Sequence, residues 1–435
     1  MKRDYQIVDR NADTRQLTRF LAANGQVLMP MVELIETAQM SVHQLMTTLG
    51  RATLEAVLQI SAAGVAGESH QGRVGGEIVR HGHQSGVVAL KDRRVQVDRP
   101  RLRKRAGGAG AEVGVPAYEA MKSDNSLGEQ VLNVMMRGVS TRNYREILTD
   151  ACDCVGVSKS SISREFVEAS EQAYRDLLER RFADLDLLIL YIDGIVIGGH
   201  SVLVAIGVDS AGHKHVLGVK EGASENATVV RDLLTDLVER GVKPGVKRLF
   251  VIDGSKALRA GIDAVFGADN PVQRCRLHKE RNVLDYLPDE QKEYARLTLR
   301  AAFSLDAAKG EKRMMDLAEQ YEKSYPSAAG SIREGIAEMF TVNRLGVPSS
   351  LRRSLVSTNI IESPNAGIRA RTRRVTEWDG GKMVRRWVAA SLLAAEEKFR
   401  RLSGHKDLWM LSAALDRENA ATAHNKQEGN RVKAA

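Results

Sequence analysis

Residues 186–193 read DLLILYID and residues 247–253 read KRLFVID. Each run is apolar without alternation, the pattern of a strand covered on both faces, and each closes on an aspartate, Asp193 or Asp253. Between them, HSVLVAIGVD (200–209) and KHVLGVK (214–220) are separated only by SAGH, a short polar gap with a glycine that predicts an antiparallel hairpin. SENATVVRDLLTDLVERG (224–241) has apolar residues at spacings of three and four, Ser224 as a cap and a terminal Gly241, and so predicts a helix. After Asp253 come a second helix, SKALRAGIDAVFG (255–267), a further strand, PVQRCRL (271–277), and a long helical stretch from His278 to about Phe340.

Three strands, a helix, a strand, a helix and a strand make an α/β chain in the order of the ribonuclease-H-like fold. Its mixed sheet runs 3-2-1-4-5 in space, here with a helical insertion after the fifth strand and helical regions ahead of the first. Strands one and four are then parallel neighbours, and Asp193 and Asp253, expected at their carboxyl ends, lie side by side. An aspartate ending a strand also serves turns and helix caps, so neither residue alone marks a site. Together, two carboxylates at one sheet edge repel unless positive charge lies between them. A pair of hard divalent cations with oxygen ligands meets that need and supports phosphodiester chemistry.

A third acidic ligand has to come from outside the sheet. Glu362, in VSTNIIESPNAGIRARTRR (356–374), stands near the start of a helix capped either by Thr358 or by Ser363 with Pro364 in the first helical position. The same helix is expected to carry Arg369, Arg371, Arg373 and Arg374, cations suited to phosphate.

LYIDGI around Asp193, FVIDGSKALRAGIDAVF around Asp253, QRCRLHKERNVLDYL, and TNIIESPNAGIRARTR with six residues between Glu362 and Arg369 resemble the Mutator-type transposases of bacterial insertion sequences, members of the DDE superfamily. The likeness covers roughly residues 130–400. It implies a ribonuclease-H-like catalytic domain interrupted by a helical insertion, with Asp193, Asp253 and Glu362 as catalytic and metal-binding residues. It further implies two Mg²⁺ ions, with Mn²⁺ usually able to substitute, cleavage of double-stranded DNA at terminal inverted repeats, and attack of the freed 3′-hydroxyl on target DNA. Synapsis of two ends implies a homodimer or larger assembly. A related nuclease or integrase, or a domesticated sequence-specific DNA-binding protein that has lost catalysis, are the alternatives.

Composition agrees with a polyanionic partner. Across 435 residues, 64 Lys and Arg stand against 55 Asp and Glu, and positive charge clusters in RPRLRKR (99–105) and RARTRR (369–374). Cys152, Cys154 and Cys275 form no disulfide framework, which with the lack of a long apolar run predicts a cytoplasmic protein, nucleoid-associated when on DNA, with no membrane partner. Cys275 and His278 have the spacing of half a zinc site, but structural zinc takes about four ligands and no second pair stands nearby. Zinc is therefore not expected; Cys275 packing on the sheet and His278 opening a helix near the active site is the favoured reading. Trp378 is read as core, with stacking on a flipped base as the alternative.

The chain divides by pattern into a helical region (1–65), a hairpin with a basic linker (66–120), a helix-turn-helix (121–180), the catalytic core (181–280), the insertion (281–350), the Glu362 helix with basic C-terminal helices (351–410), and a polar tail (411–435). In the expected helix-turn-helix, Gly156 would permit the turn and Ser158 would cap the second helix, whose Lys159, Ser160, Ser163 and Arg164 are expected to face DNA, an ordinary helical pair being the alternative.

Overall fold

The computed structural model describes residues 42–67, 76–89, 94–105, 112–122, 126–138, 159–222 and 226–433. The expected turn at Gly156, the caps at Ser158 and Ser224, residues 1–41 of the expected helical region, and Cys152 and Cys154 lie outside the described residues. The chain forms two compact units, Met1–Ala169 and Ser170–Ala435.

In the first unit, helix α1 (Val42–Ala66) precedes strands β1 (Ile78–Ala89), β2 (Arg94–Lys104) and β3 (Glu112–Val113), then helices α2 (Pro116–Lys122) and α3 (Ser126–Met136). The strands pair antiparallel in the order β1-β2-β3. Leu58 and Ala62 of α1 pack with Val88, Val95, Val97, Leu102 and Tyr118. The basic run expected as a linker is instead part of β2. Pro100 and Leu102 face inward while Arg99, Arg101 and Arg103 take the other face, so the arginines occupy one side of a period-two pattern and mask it in a reading by charge.

Helix α4 (Lys159–Glu179) leads into the second unit, whose sheet is built from β4 (Leu187–Ile197), β5 (His200–Asp209), β6 (Lys214–Gly222), β7 (Leu249–Ile252) and β8 (Val272–Arg274). The spatial order is β6-β5-β4-β7-β8; β4–β5 and β5–β6 are antiparallel, β4–β7 and β7–β8 parallel. This is a mixed α/β unit around a mixed five-stranded sheet.

Helices α5 (Ala227–Glu239) and α6 (Lys256–Phe266) cover one face, where Leu190, Ile192, Leu203, Phe250 and Ile252 meet Val230, Leu234, Leu258 and Ile262. Asn226 caps α5, its side chain accepting from the backbone N–H of Thr228 and Val229. After β8 come α7 (Arg276–Leu284), α8 (Asp289–Ser304), α9 (Ala307–Tyr321), α10 (Pro326–Arg333), α11 (Ile336–Met339) and α12 (Thr341–Arg344). Most of these helices enclose a core of their own, with Leu299, Met314, Leu317, Ile332 and Phe340 at its centre. The other sheet face is covered from α13 (Ser349–Leu355), α14 (Asn359–Thr372), α15 (Gly380–Glu396) and α16 (Leu408–Lys433), through Leu355, Ile361, Ile368, Val384, Val388 and Leu411. Among the described residues, no helix is long and apolar enough to cross a membrane.

Candidate active site

Successive residues of a strand point to opposite faces of its sheet. Ile189, Tyr191 and Ile195 of β4 enter the core beneath α13–α16, and Val251 of β7 does the same, whereas Leu190, Ile192 and Ile252 enter the core beneath α5 and α6. Asp193 and Asp253 each lie two residues beyond the register pair Tyr191–Val251. Both carboxylates therefore belong to the face covered by α14. Asp253 follows the last residue of β7, as expected, but Asp193 does not end its strand. β4 continues to Ile197 because its antiparallel ladder with β5 runs on after the parallel ladder with β7 has stopped, and Asp193 pairs with Val204 within it.

Asp193 is 9% exposed. Burial first, and then the neighbouring charge of Asp253 together with that of Glu362, push its carboxyl up to about 6, against the opposing effects of His278 and a hydrogen bond from Asn365. That bond runs from Asn365 Nδ2 to Asp193 Oδ2 at 2.9 Å. Asp253 is half-buried, and its Oδ1 accepts the backbone N–H of Ser255 at 2.8 Å, in the turn that starts α6.

Glu362 lies in the first turn of α14, which begins at Asn359 after Thr358. Pro364 sits well inside the helix, so the start at Ser363 and Pro364 is excluded. Thr358 makes no side-chain cap; its hydroxyl donates to Glu362 Oε1 at 2.6 Å, clasping the carboxylate to its own helix. Nearly one turn further along the same helix, Asn365 reaches Asp193, so Glu362 stands about one turn from the residue that holds the sheet aspartate.

Cys275, fully buried, precedes α7, and His278 lies in its first turn. His278 Nδ1 is 3.7 Å from Glu362 Oε1 and 3.4 Å from the Thr358 hydroxyl. A hydrogen bond with Cys275 raises the imidazole to about 9 against the effect of burial, with Glu362 and Asp253 adding to the rise. Burial alone would push the Cys275 thiol up, but hydrogen bonds from His278 and Thr358 outweigh it and hold the thiol below its ordinary value. The charges of Asp193, Asp253, Glu362 and His278, from β4, the end of β7, α14 and α7, thus act on one another, but among the described residues the donor atoms that lie within 4.8 Å of one another are those of Cys275, His278 and Glu362, and the three carboxylates do not form such a set.

Of the expected phosphate-binding residues, Arg369, Arg373 and Arg374 are exposed and Arg371 is half-buried. The helix ends at Thr372, so Arg373 caps it and Arg374 lies beyond. Ser160, Ser163 and Arg164 lie on the exposed side of α4, opposite buried Ile162 and Phe166; Lys159 begins that helix. Trp378 packs against the core beneath α14 and lies over Gly198, where an added Cβ would clash with the indole Cγ. Two site residues escaped the sequence reading: Asn365, and Thr358 in its role toward Glu362. The only available signal was an amide three residues after the acid.

Comparison with known proteins adds a family to this geometry. The pattern of transposases of the Mutator family matches residues 24–401. The chain is 28% identical over 368 residues to the transposase for insertion sequence element ISRM5 of Rhizobium meliloti, a match covering 82% of this chain and 88% of that protein. It is 27% identical to the transposase for IS6120 of Mycolicibacterium smegmatis, over 60% of this chain and 81% of the relative. It is also 27% identical to the transposase for IS406 of Burkholderia multivorans, over 64% and 72%.

Proposed function

The chain belongs to the Mutator family of transposases, and from that membership we propose that it is a DDE transposase of ribonuclease-H-like fold in which Asp193, Asp253 and Glu362 bind two Mg²⁺ ions and carry out DNA cleavage and joining. The observation that carries this reading is the hydrogen bond from Asn365 to Asp193, which ties the helix of Glu362 to the strand of one aspartate beside the other. The donor set suits a hard cation: three carboxylates, one of them raised by its burial and then by its neighbour's charge, leave a demand for positive charge that oxygen-liganded Mg²⁺ would satisfy. Bound there, the ions would supply activation of water or a 3′-hydroxyl and stabilisation of the leaving oxygen.

The chain's own residues do the rest. Asn365 holds Asp193 in one orientation, the Ser255 N–H fixes one oxygen of Asp253, and the Thr358 hydroxyl holds Glu362. Exposed Arg369, Arg373 and Arg374 neutralise backbone phosphates of double-stranded DNA, and Lys159, Ser160, Ser163 and Arg164 contact the element ends. Two ends held together require a dimer or larger assembly.

The test is a cleavage and strand-transfer assay on duplexes carrying the element's terminal inverted repeats, in Mg²⁺. Asp193→Asn, Asp253→Asn and Glu362→Gln each abolish both products if the reading holds. Undiminished activity in any one of them overturns it, and cleavage without joining by the unaltered protein assigns a nuclease instead.

A further inference from the structure

Cys275 and His278 have the spacing of half a metal site, and the fold brings a third donor to them from 84 residues away. Cys275 Sγ, a His278 ring nitrogen and a Glu362 carboxylate oxygen all lie within 4.8 Å of one another. Ligands around a tetrahedral zinc, with bonds of about 2.0–2.3 Å, stand roughly 3.3–3.8 Å apart. Closing the difference takes small rotations of two side chains that are each 30% exposed, His278 and Glu362, around a sulfur that is fixed and fully buried.

The surroundings suit a thiolate ligand. The backbone N–H of Thr358 points at Cys275 Sγ at 3.5 Å, the kind of outer donor that steadies a metal-bound sulfur. Thiolate and carboxylate together carry two negative charges, which one divalent cation neutralises while replacing the imidazole proton. His278 and Glu362 are open enough to leave a fourth position to solvent. The chemistry of this set is opposite to that of the aspartate pair: sulfur and imidazole select zinc or cobalt, and oxygen donors select Mg²⁺. Glu362 is common to both.

We propose that Cys275, His278 and Glu362 form a binding site for a thiophilic divalent cation such as zinc, and that its occupation withdraws Glu362 from Asp193 and Asp253 and so arrests DNA cleavage. The binding half stands on the three side chains alone; the arrest rests on Glu362 serving the Mg²⁺ site.

The full-length protein, stripped of metal, is titrated with Co²⁺ as the probe, and the thiolate-to-cobalt charge-transfer band in the near ultraviolet is followed. The expected result is saturation at one cobalt per chain and displacement by zinc. Cys275→Ser loses the band, and His278→Gln, a change at a half-exposed position, weakens binding by more than the roughly 10–100-fold that loss of an outer partner costs. Asp193→Asn keeps the band. Absence of the band in the unaltered protein, or its persistence in Cys275→Ser, overturns the binding site. Cleavage in fixed Mg²⁺ with rising zinc is then compared with each protein's own zinc-free rate: the unaltered chain is inhibited and His278→Gln resists. Equal inhibition of both overturns the arrest. If Glu362→Gln cleaves normally while the unaltered protein binds cobalt, it is the assignment of Glu362 to the Mg²⁺ site that fails, not the thiophilic site; undiminished cobalt affinity in Glu362→Gln removes Glu362 from the thiophilic set.

Discussion

Asn365 and Asp193 are 172 residues apart in sequence and joined by a 2.9 Å hydrogen bond between two buried side chains, Asn365 being only 1% exposed. The bond satisfies a buried carboxylate and fixes the rotation of α14 against the sheet. Asn365→Ala leaves Asp193 without its buried donor and costs about 1–3 kcal/mol of stability. Cleavage falls by roughly 10–100-fold, as for other partners one shell out from a metal ligand, and recovers in part at high Mg²⁺. Thermal melts and a Mg²⁺ titration of the cleavage rate measure both effects.

Asp193→Asn has opposite consequences for stability and for activity. The folded-state carboxyl is raised to about 6 from an ordinary 3.8, burial being the largest cause, so its contribution is fully present below about pH 4 and lost as pH rises through 6. Above that, the charged form costs roughly 3 kcal/mol in the metal-free protein, at about 1.4 kcal/mol per unit. Asparagine removes the cost while still accepting from Asn365. The metal-free variant is therefore expected to melt several degrees higher than the unaltered protein at pH 8 and no higher at pH 4, and to lack cleavage. An equal gap at both pH values contradicts the argument.

Arg276 joins the helical insertion to the sheet. It is 8% exposed, donates to the carbonyls of Met339 and Phe303 and to Asn343, and lies over the rings of Phe303 and Phe340. Burial, with a smaller effect of Arg352, lowers its guanidinium to about 10, still far above neutrality. Arg276→Ala strips several acceptors at once and is expected to cost roughly 2–4 kcal/mol. Limited proteolysis then cuts first between residues 276 and 345; resistance equal to that of the unaltered chain counts against this anchoring role.

Gly198 has φ +56 and meets the Trp378 indole where a Cβ would stand. Gly198→Ala adds both strain and a clash, for about 1–3 kcal/mol. Tryptophan emission shifts to the red as Trp378 is pushed toward water, and an unchanged spectrum with an unchanged melt rejects this packing.

How much of this was legible beforehand depended on the range of the interaction. The strand runs 186–193 and 247–253 and the helix 255–267 are patterns of neighbouring residues, and apolar spacing reports them directly, whereas the strand expected over 271–277 stops at Arg274 and a helix already starts at Arg276. The run 99–104 belongs to β2 and not to a linker, a strand hidden because alternating arginines at 99, 101 and 103 read as a charge run. Asp193 was expected to end its strand because an apolar run followed by Asp-Gly looks the same whether the ladder stops or continues. Thr358 was a candidate cap by residue type, but its hydroxyl found the carboxylate of Glu362 instead.

Apolar periodicity alone gives the order of strands and helices around the sheet and puts Asp193 and Asp253 on neighbouring parallel strands, because burial writes its period into adjacent residues. Only the packed chain brings Asn365 to Asp193 and sets Glu362 within 4.8 Å of the donor atoms of Cys275 and His278. Those contacts depend on the rotation of one helix against the sheet, which is set by the summed packing of Ile361, Ile368, Val388 and their neighbours and by no local run of residues.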